Sequence, residues 1–169
     1  MAPDPIASRY AEALFETAKA EGRIEETLET LGVLGGLLAE EPALRQLLWN
    51  PDVEAEDKVG VLERVLADTW SQLVRAFLWV VVSLGRSEYL PQIIEAFGEA
   101  VDADRGRLRA VVRSAHPLSD AVLERLRAML ERREGKTVEL EADLDSQLLG
   151  GVQVQLDHRV IDGTVRRQL

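Results

Sequence analysis

The chain has 169 residues, 46% hydrophobic and 30% charged, a globular composition with room for one large domain or two small ones. It contains no cysteine and two histidines, which excludes disulfides, thiolate metal sites and a histidine-rich metal centre. The net charge of −10 argues against nucleic acid or an anionic membrane surface as a partner.

The opening residues MAPDPIASRY have no basic segment followed by an apolar run, so no secretory leader is expected and the reading is a cytoplasmic bacterial protein. Asp4 and Pro5 read as the cap and first residue of a helix that Gly22 stops. Ile6, Tyr10, Ala13, Leu14 and Thr17 are expected on its inner face. A second helix is expected from about Ile24 to Ala39, with Ile24, Leu28, Leu31, Leu34 and Leu38 as its stripe. Gly32, Gly35 and Gly36 lower its helix propensity. They predict close approach of a neighbouring helix, since the lysine and hydroxyl of a phosphate loop are missing. A short third helix starts at Pro42, carries Leu44, Leu47 and Leu48, and ends at Asn50-Pro51. The fourth is expected from about Glu54 to Leu66, with Val59, Leu62, Val65 and Leu66 inward.

The stretch from Ser71 to Gly85 is apolar nearly all round, with Leu73, Ala76, Phe77, Val80, Val81 and Leu84 at helical spacing and Leu78, Trp79 and Val82 on the other flank. Such a helix is either central to a bundle or a membrane span. Arg75 and Arg86 bracket only ten uncharged residues, and a span needs roughly 20, so it is expected at the centre of a bundle. Trp49, Trp70 and Trp79 are expected in the core. A sixth helix carries Leu90, Ile93, Ile94, Phe97 and Val101 to about Asp104, and Ala103 to Gly106 reads as a linker.

After Gly106 the period changes. Leu108, Ala110 and Val112 alternate with Arg107, Arg109 and Arg113, as in a half-buried strand. Ser119 can cap a helix with Val122, Leu123, Leu126, Met129 and Leu130 on one face, and Gly135 ends it. Thr137 to Leu144 alternates again, and Gly150-Gly151 opens a third strand, VQVQL. Val160 and Ile161 can extend the sheet, and GTVRRQL begins a last helix capped by Asp162. Gly150 and Gly151 are expected to be structural, because glycine permits positive φ and close backbone approach. The expected fold is therefore mainly α, an N-terminal six-helix bundle over residues 1–105 followed by a small α+β domain over 106–169. Charge divides at the same place: residues 1–105 hold 20 acidic and 9 basic side chains, a net of −11, and 106–169 hold 10 and 11, a net of +1.

Asp157-His158-Arg159-Val160-Ile161-Asp162-Gly163 looks like the DHRxxDG box of dihydrolipoamide acyltransferases, in which the histidine is a general base. The lipoyl module and linkers that accompany that box are not recognisable here, and a polar turn after a strand accounts for the same residues. No nucleophile elbow, Walker loop or metal-binding helix occurs.

Two other stretches carry a second resemblance. Ala7 to Phe15, with Arg9-Tyr10-Ala11, is similar to the opening helix of the delta subunit of F-type ATP synthases, relatives of the mitochondrial oligomycin-sensitivity-conferring protein. Val138 to Asp157 resembles that family's C-terminal signature through Leu140, Leu144-Asp145, Leu148, Gly150-Gly151-Val152 and Val154. Leu84-Gly85-Arg86 before Leu90-Pro91, and Val160 to Arg166, also resemble the family pattern.

The resemblance implies a non-catalytic stator subunit with no cofactor, no metal and no membrane span of its own. It would sit at the cytoplasmic face of the bacterial membrane during proton-driven ATP synthesis. It implies that the N-terminal bundle receives the N-terminal helix of an alpha subunit in a groove of its first and fifth helices. The C-terminal domain would hold the C-terminal end of the b-subunit stalk. Tyr10, Leu14, Phe77 and Val81 are the expected partner contacts, with Ala11 and Ala13 leaving room for a third helix; Gly150, Gly151 and Asp162 are the expected structural residues. An acyltransferase fragment using His158, and a general helical adaptor, are the alternatives.

Overall fold

A computed structural model describes residues 4–67, 69–156 and 159–162, the last four by their backbone alone. Six α-helices come first among the described residues: α1 (Pro5–Ala20), α2 (Ile24–Glu40), α3 (Pro42–Trp49), α4 (Ala55–Val65), α5 (Gln72–Ser83) and α6 (Leu90–Asp104). A 3₁₀ turn, Ser87–Tyr89, precedes α6. Strand β1 (Arg107–Ser114), helix α7 (Asp120–Glu134) and strands β2 (Thr137–Leu144), β3 (Val152–Leu156) and β4 (Arg159–Asp162) follow. The molecule is mainly helical with a small α+β part. Its internal contacts separate into two units that divide between Val101 and Asp102.

Local chemistry sets the helix ends. The Asp4 carboxylate accepts the Ile6 amide at 2.8 Å, and Pro5 opens α1 without an orphan N–H. Ser71 Oγ accepts the Val74 amide at 3.1 Å to start α5. Ser119 caps α7, and Gly135 at φ 68° ends it.

One core serves all six N-terminal helices. Leu31 and Leu34 of α2, Leu48 of α3, Leu62 of α4, Leu78 of α5 and Phe97 of α6 are all fully buried in it. Phe15 of α1 meets Phe97 edge-on, with ring centroids 6.2 Å apart. The α1 face differs from expectation. Ala7, Ala11, Leu14, Phe15 and Ala18 point inward, while Ile6 and Tyr10 are half-buried and Ala13 and Thr17 are exposed. Three alanines let the backbone of α1 lie close to its neighbours, and Phe15 supplies the volume.

In α2 the glycines divide. A Cβ on Gly35 would lie 3.4 Å from Ile94 of α6, whereas Gly32 and Gly36 face open space. Close helix approach therefore accounts for only one of the three. Trp49 and Trp79, expected in the core, are exposed. Trp49 is the last residue of α3, and its indole N–H donates to the Ser87 carbonyl at 3.2 Å across the surface. Val65 ends α4 facing outward, and Leu66 takes the buried place beyond it.

The second unit has its own core of Leu108, Ala110, Val112, Leu130, Val138, Val154 and Leu156. Its sheet has the order β2-β1-β3-β4. Strands β1 and β2 run parallel in the register Leu108↔Val138, joined through α7 as a βαβ unit. Strand β3 pairs antiparallel with β1, Val112↔Val154, and β4 with β3, Val154↔Ile161. Val160 and Ile161 thus extend the sheet. Asp162 is the last residue of β4, opposite Gln153; the final helix it was expected to cap, and His158, lie outside the described residues. Where a linker was expected, α6 continues to Asp104. Buried Asp102, in the last turn of α6, lies 2.7 Å from Arg109 Nε and 3.7 Å from Arg107 Nη2 of β1. The shorter approach is an ion pair without hydrogen-bond alignment.

Backbone conformation sets the expected effect of three substitutions. Gly36→Ala, on an exposed helical face, should raise stability by about 0.5–1 kcal/mol, and Gly35→Ala by less because Ile94 must give way; denaturant titration measures both. Gly151 has φ 79° at the entrance to β3. Gly151→Val should destabilise the second unit by about 1–3 kcal/mol, seen as a lowered melting temperature.

Candidate partner-binding site

Helix α5 has two apolar faces. Val74, Leu78, Val81 and Val82 are buried in the helical core. Leu73, Ala76, Phe77, Val80 and the capping residue Leu84 recur at helical spacing on a second stripe, roughly a third of a turn away. That stripe opens outward: Val80 is 47% and Leu84 59% exposed, and neighbouring Trp79 is 46% exposed. The helix expected at the centre of the bundle is instead half core and half surface. Its apolar side chains exceed what a 12-residue helix on one side of a core can bury, so the surplus faces solvent.

The stripe is flanked by two concavities that share Gln72 and Ala76. The larger, about 860 Å³, lies between α4 and α5 and is lined by Val59, Gly60, Glu63, Trp79 and Val80. Gly60 leaves its α4 side open, because a Cβ there would meet nothing within 4 Å. The smaller, about 560 Å³, lies at the start of α5 beside Glu21, Arg23 and Leu73. Glu63 and Arg75 form an exposed ion pair of 2.6 Å on the rim of the larger one.

Of the four expected contacts, two come together at the surface. Tyr10 of α1 and Phe77 of α5 meet edge-to-face with centroids 6.3 Å apart, and the Arg86 guanidinium lies 5.8 Å above the Tyr10 ring. Leu14 and Val81 are core residues beneath them, closed off from solvent. Leu73, Val80, Leu84 and Trp79 complete the apolar surface. Their signal in the sequence is the double stripe on α5, of which one half had to face outward. Gly150 and Gly151 stand together before β3, far along the chain from this surface.

The surface offers apolar contact with a polar rim and no set of groups for bond chemistry. Among the described residues, no group of three or more His, Asp or Glu could hold a metal ion. An inner residue and an outer one should differ sharply on truncation. Leu78→Ala should cost about 2–5 kcal/mol and Val80→Ala about 0.5 kcal/mol or less, read from denaturant midpoints.

A family model described as ATP synthase delta (OSCP) subunit matches residues 6–169. The chain is 38% identical to the ATP synthase subunit delta of Erythrobacter litoralis over 165 residues, 97% of this chain and 90% of that one. It is 35% identical to the ATP synthase subunit delta of Geobacter metallireducens over 170 residues, 100% of this chain and 94% of that one. A chain in the cryo-EM structure of the Toxoplasma gondii mitochondrial ATP synthase hexamer superposes with a TM-score of 0.78, covering 98% of this chain and 93% of its own. At 19% identity that likeness is one of fold. With the family pattern running through almost every residue, from α1 to the far side of the sheet, the chain belongs to the ATP synthase delta (OSCP) subunit family.

Proposed function

We propose that the outward stripe of α5 and the Tyr10–Phe77 pair form the seat for the N-terminal helix of an alpha subunit of the catalytic head. A chain of this family is a non-catalytic stator subunit of F-type ATP synthase, part of the peripheral stalk that keeps the catalytic hexamer from turning with the rotor. The acyltransferase and general-adaptor alternatives are set aside by that membership. In the proposed division of labour, residues 1–105 fold as a six-helix bundle that grips the head, and residues 106–169 hold the C-terminal end of the b-subunit stalk. The assembly would lie at the cytoplasmic face of the bacterial membrane. Among the described residues no helix is long and apolar enough to cross a membrane.

The observation that carries this reading is the second apolar stripe on α5. A helix laying its own apolar face along Leu73, Phe77, Val80 and Leu84 would bury what each still exposes, a fraction of the roughly 1.5–3 kcal/mol of full burial, largest at Val80 and Leu84 and smaller at the already half-buried Leu73 and Phe77. Glu56 and Glu63 on the α4 side, within a half of net charge −11, favour a partner helix with basic flanks. A tether under load needs slow dissociation, and packed apolar anchors supply that better than exposed ion pairs.

Calorimetric titration with a peptide of the alpha N-terminal helix tests it. The peptide should bind the whole chain and a 1–105 fragment, and not a 106–169 fragment. Val80→Asp, at a site exposed enough to leave folding intact, should weaken binding at least tenfold, or about 1.4 kcal/mol. Binding to the C-terminal fragment alone, or an unchanged affinity in the variant, would rule out this surface.

A further inference from the structure

The join between α5 and α6, Leu84-Gly85-Arg86, does more than stop a helix. The Gly85 amide donates to the Val82 carbonyl and the Arg86 amide to the Val81 carbonyl, each at 3.0 Å. Gly85 has φ 67°, the left-handed conformation that completes this hydrogen-bonded helix end. The Arg86 carbonyl then accepts the Tyr89 amide at 3.1 Å and opens the 3₁₀ turn. Arg86 is thus pinned on both sides of its Cα, and its side chain starts from a fixed point. The residue after such a glycine is often apolar and packs back on its own helix. Here it is a half-buried cation, and its guanidinium lies 5.8 Å from the centre of the Tyr10 ring on α1. Residues 1–105 hold only 9 basic side chains against 20 acidic ones, and this one is stationed over an aromatic face.

We infer that Arg86 is a positioning residue: set over Tyr10, it holds that ring against Phe77 and so fixes the α1 edge of the seat before a partner arrives. The inference rests on the proposed function above and adds what keeps the seat in shape. Tyr10 and Phe77 are both half-buried. Their edge-to-face contact, with centroids 6.3 Å apart, fixes one side of the Tyr10 ring. A guanidinium over the face fixes another, because the negative face of the ring attracts it. Three segments of chain meet at this point: α1 through Tyr10, α5 through Phe77 and the α5–α6 turn through Arg86. A side chain ordered beforehand need not be ordered when a helix docks, and that difference appears as affinity. The glycine stop on α5 thereby serves the surface beside it, since its hydrogen bonds aim the backbone from which the cation reaches α1.

The test is calorimetric titration of the alpha N-terminal peptide into the whole chain, well below its melting temperature, with circular dichroism to show that each variant is folded. Arg86→Gln should weaken binding about two- to tenfold, the equivalent of ordering one side chain on binding. Arg86→Lys, which keeps a cation, should recover most of that loss. In a Tyr10→Leu chain, where there is no ring to hold, Arg86→Gln should cost nothing further. The same loss in both backgrounds would mean that Arg86 acts without Tyr10, and it overturns the positioning role. A lowered melting temperature with affinity unchanged in Arg86→Gln would make Arg86 a stabilising contact only; that result also overturns the role and leaves the α5 seat standing. No binding of the peptide to the unaltered chain overturns both.

Discussion

The N-terminal half depends on how one short helix divides its apolar surface. Val74, Leu78 and Val81 of α5 anchor it to a core shared by all six helices. Once they are buried, helical geometry turns Ala76 and Val80 to solvent and leaves Leu73 and Phe77 half-buried at the edge of that core. The inner face fixes the helix in the core, and with it the position of the outer face. On the proposed function, binding would then cost little ordering entropy, because the surface is already in place. On that proposal, stability and recognition are two sides of one twelve-residue segment.

The second unit solves a different problem with a smaller core. Its single parallel pair, β1 with β2, needs a crossover, and α7 provides it. One side of α7 is therefore committed to the sheet through Leu126 and Leu130. Charged ladders secure the other face of the sheet, where Arg107 lies 3.5 Å from Glu139 and Arg113 lies 3.8 Å from Asp143. These exposed pairs contribute little to stability.

Much of this was legible in the sequence because it is local. Asp4, Ser71, Ser119 and Gly135 mark helix ends through contacts no more than three or four residues away, and the change of period after Gly106 separates helices from strands. The faces were harder. The inward residues of α1 include Ala7, Ala11 and Ala18, which add little to any hydrophobic count, while Tyr10 adds much and sits at the surface. Leu14 and Val81 share helical spacing with Tyr10 and Phe77, and spacing on an all-apolar helix does not separate inner from outer stripes. The tryptophans mislead for a related reason: Trp49 and Trp79 have apolar neighbours in the sequence yet stand where their helices meet solvent. The β1–β2 pairing joins residues some thirty positions apart, as in Leu108↔Val138, and no local pattern encodes its direction.

The exposed apolar stripe also governs the life of the protein before it is incorporated. A newly made chain presents Trp79, Val80 and Leu84 to water with no partner on them, and such a surface is a natural site for unwanted self-association. The surplus of acid in the same half works against that outcome, because two copies approaching stripe to stripe bring like charges together. The acidity is thus a safeguard during waiting and, on the proposed function, also favours a basic partner. Cells that make this polypeptide in excess of the rest of the synthase would tolerate it better than one bearing the same stripe on a neutral surface.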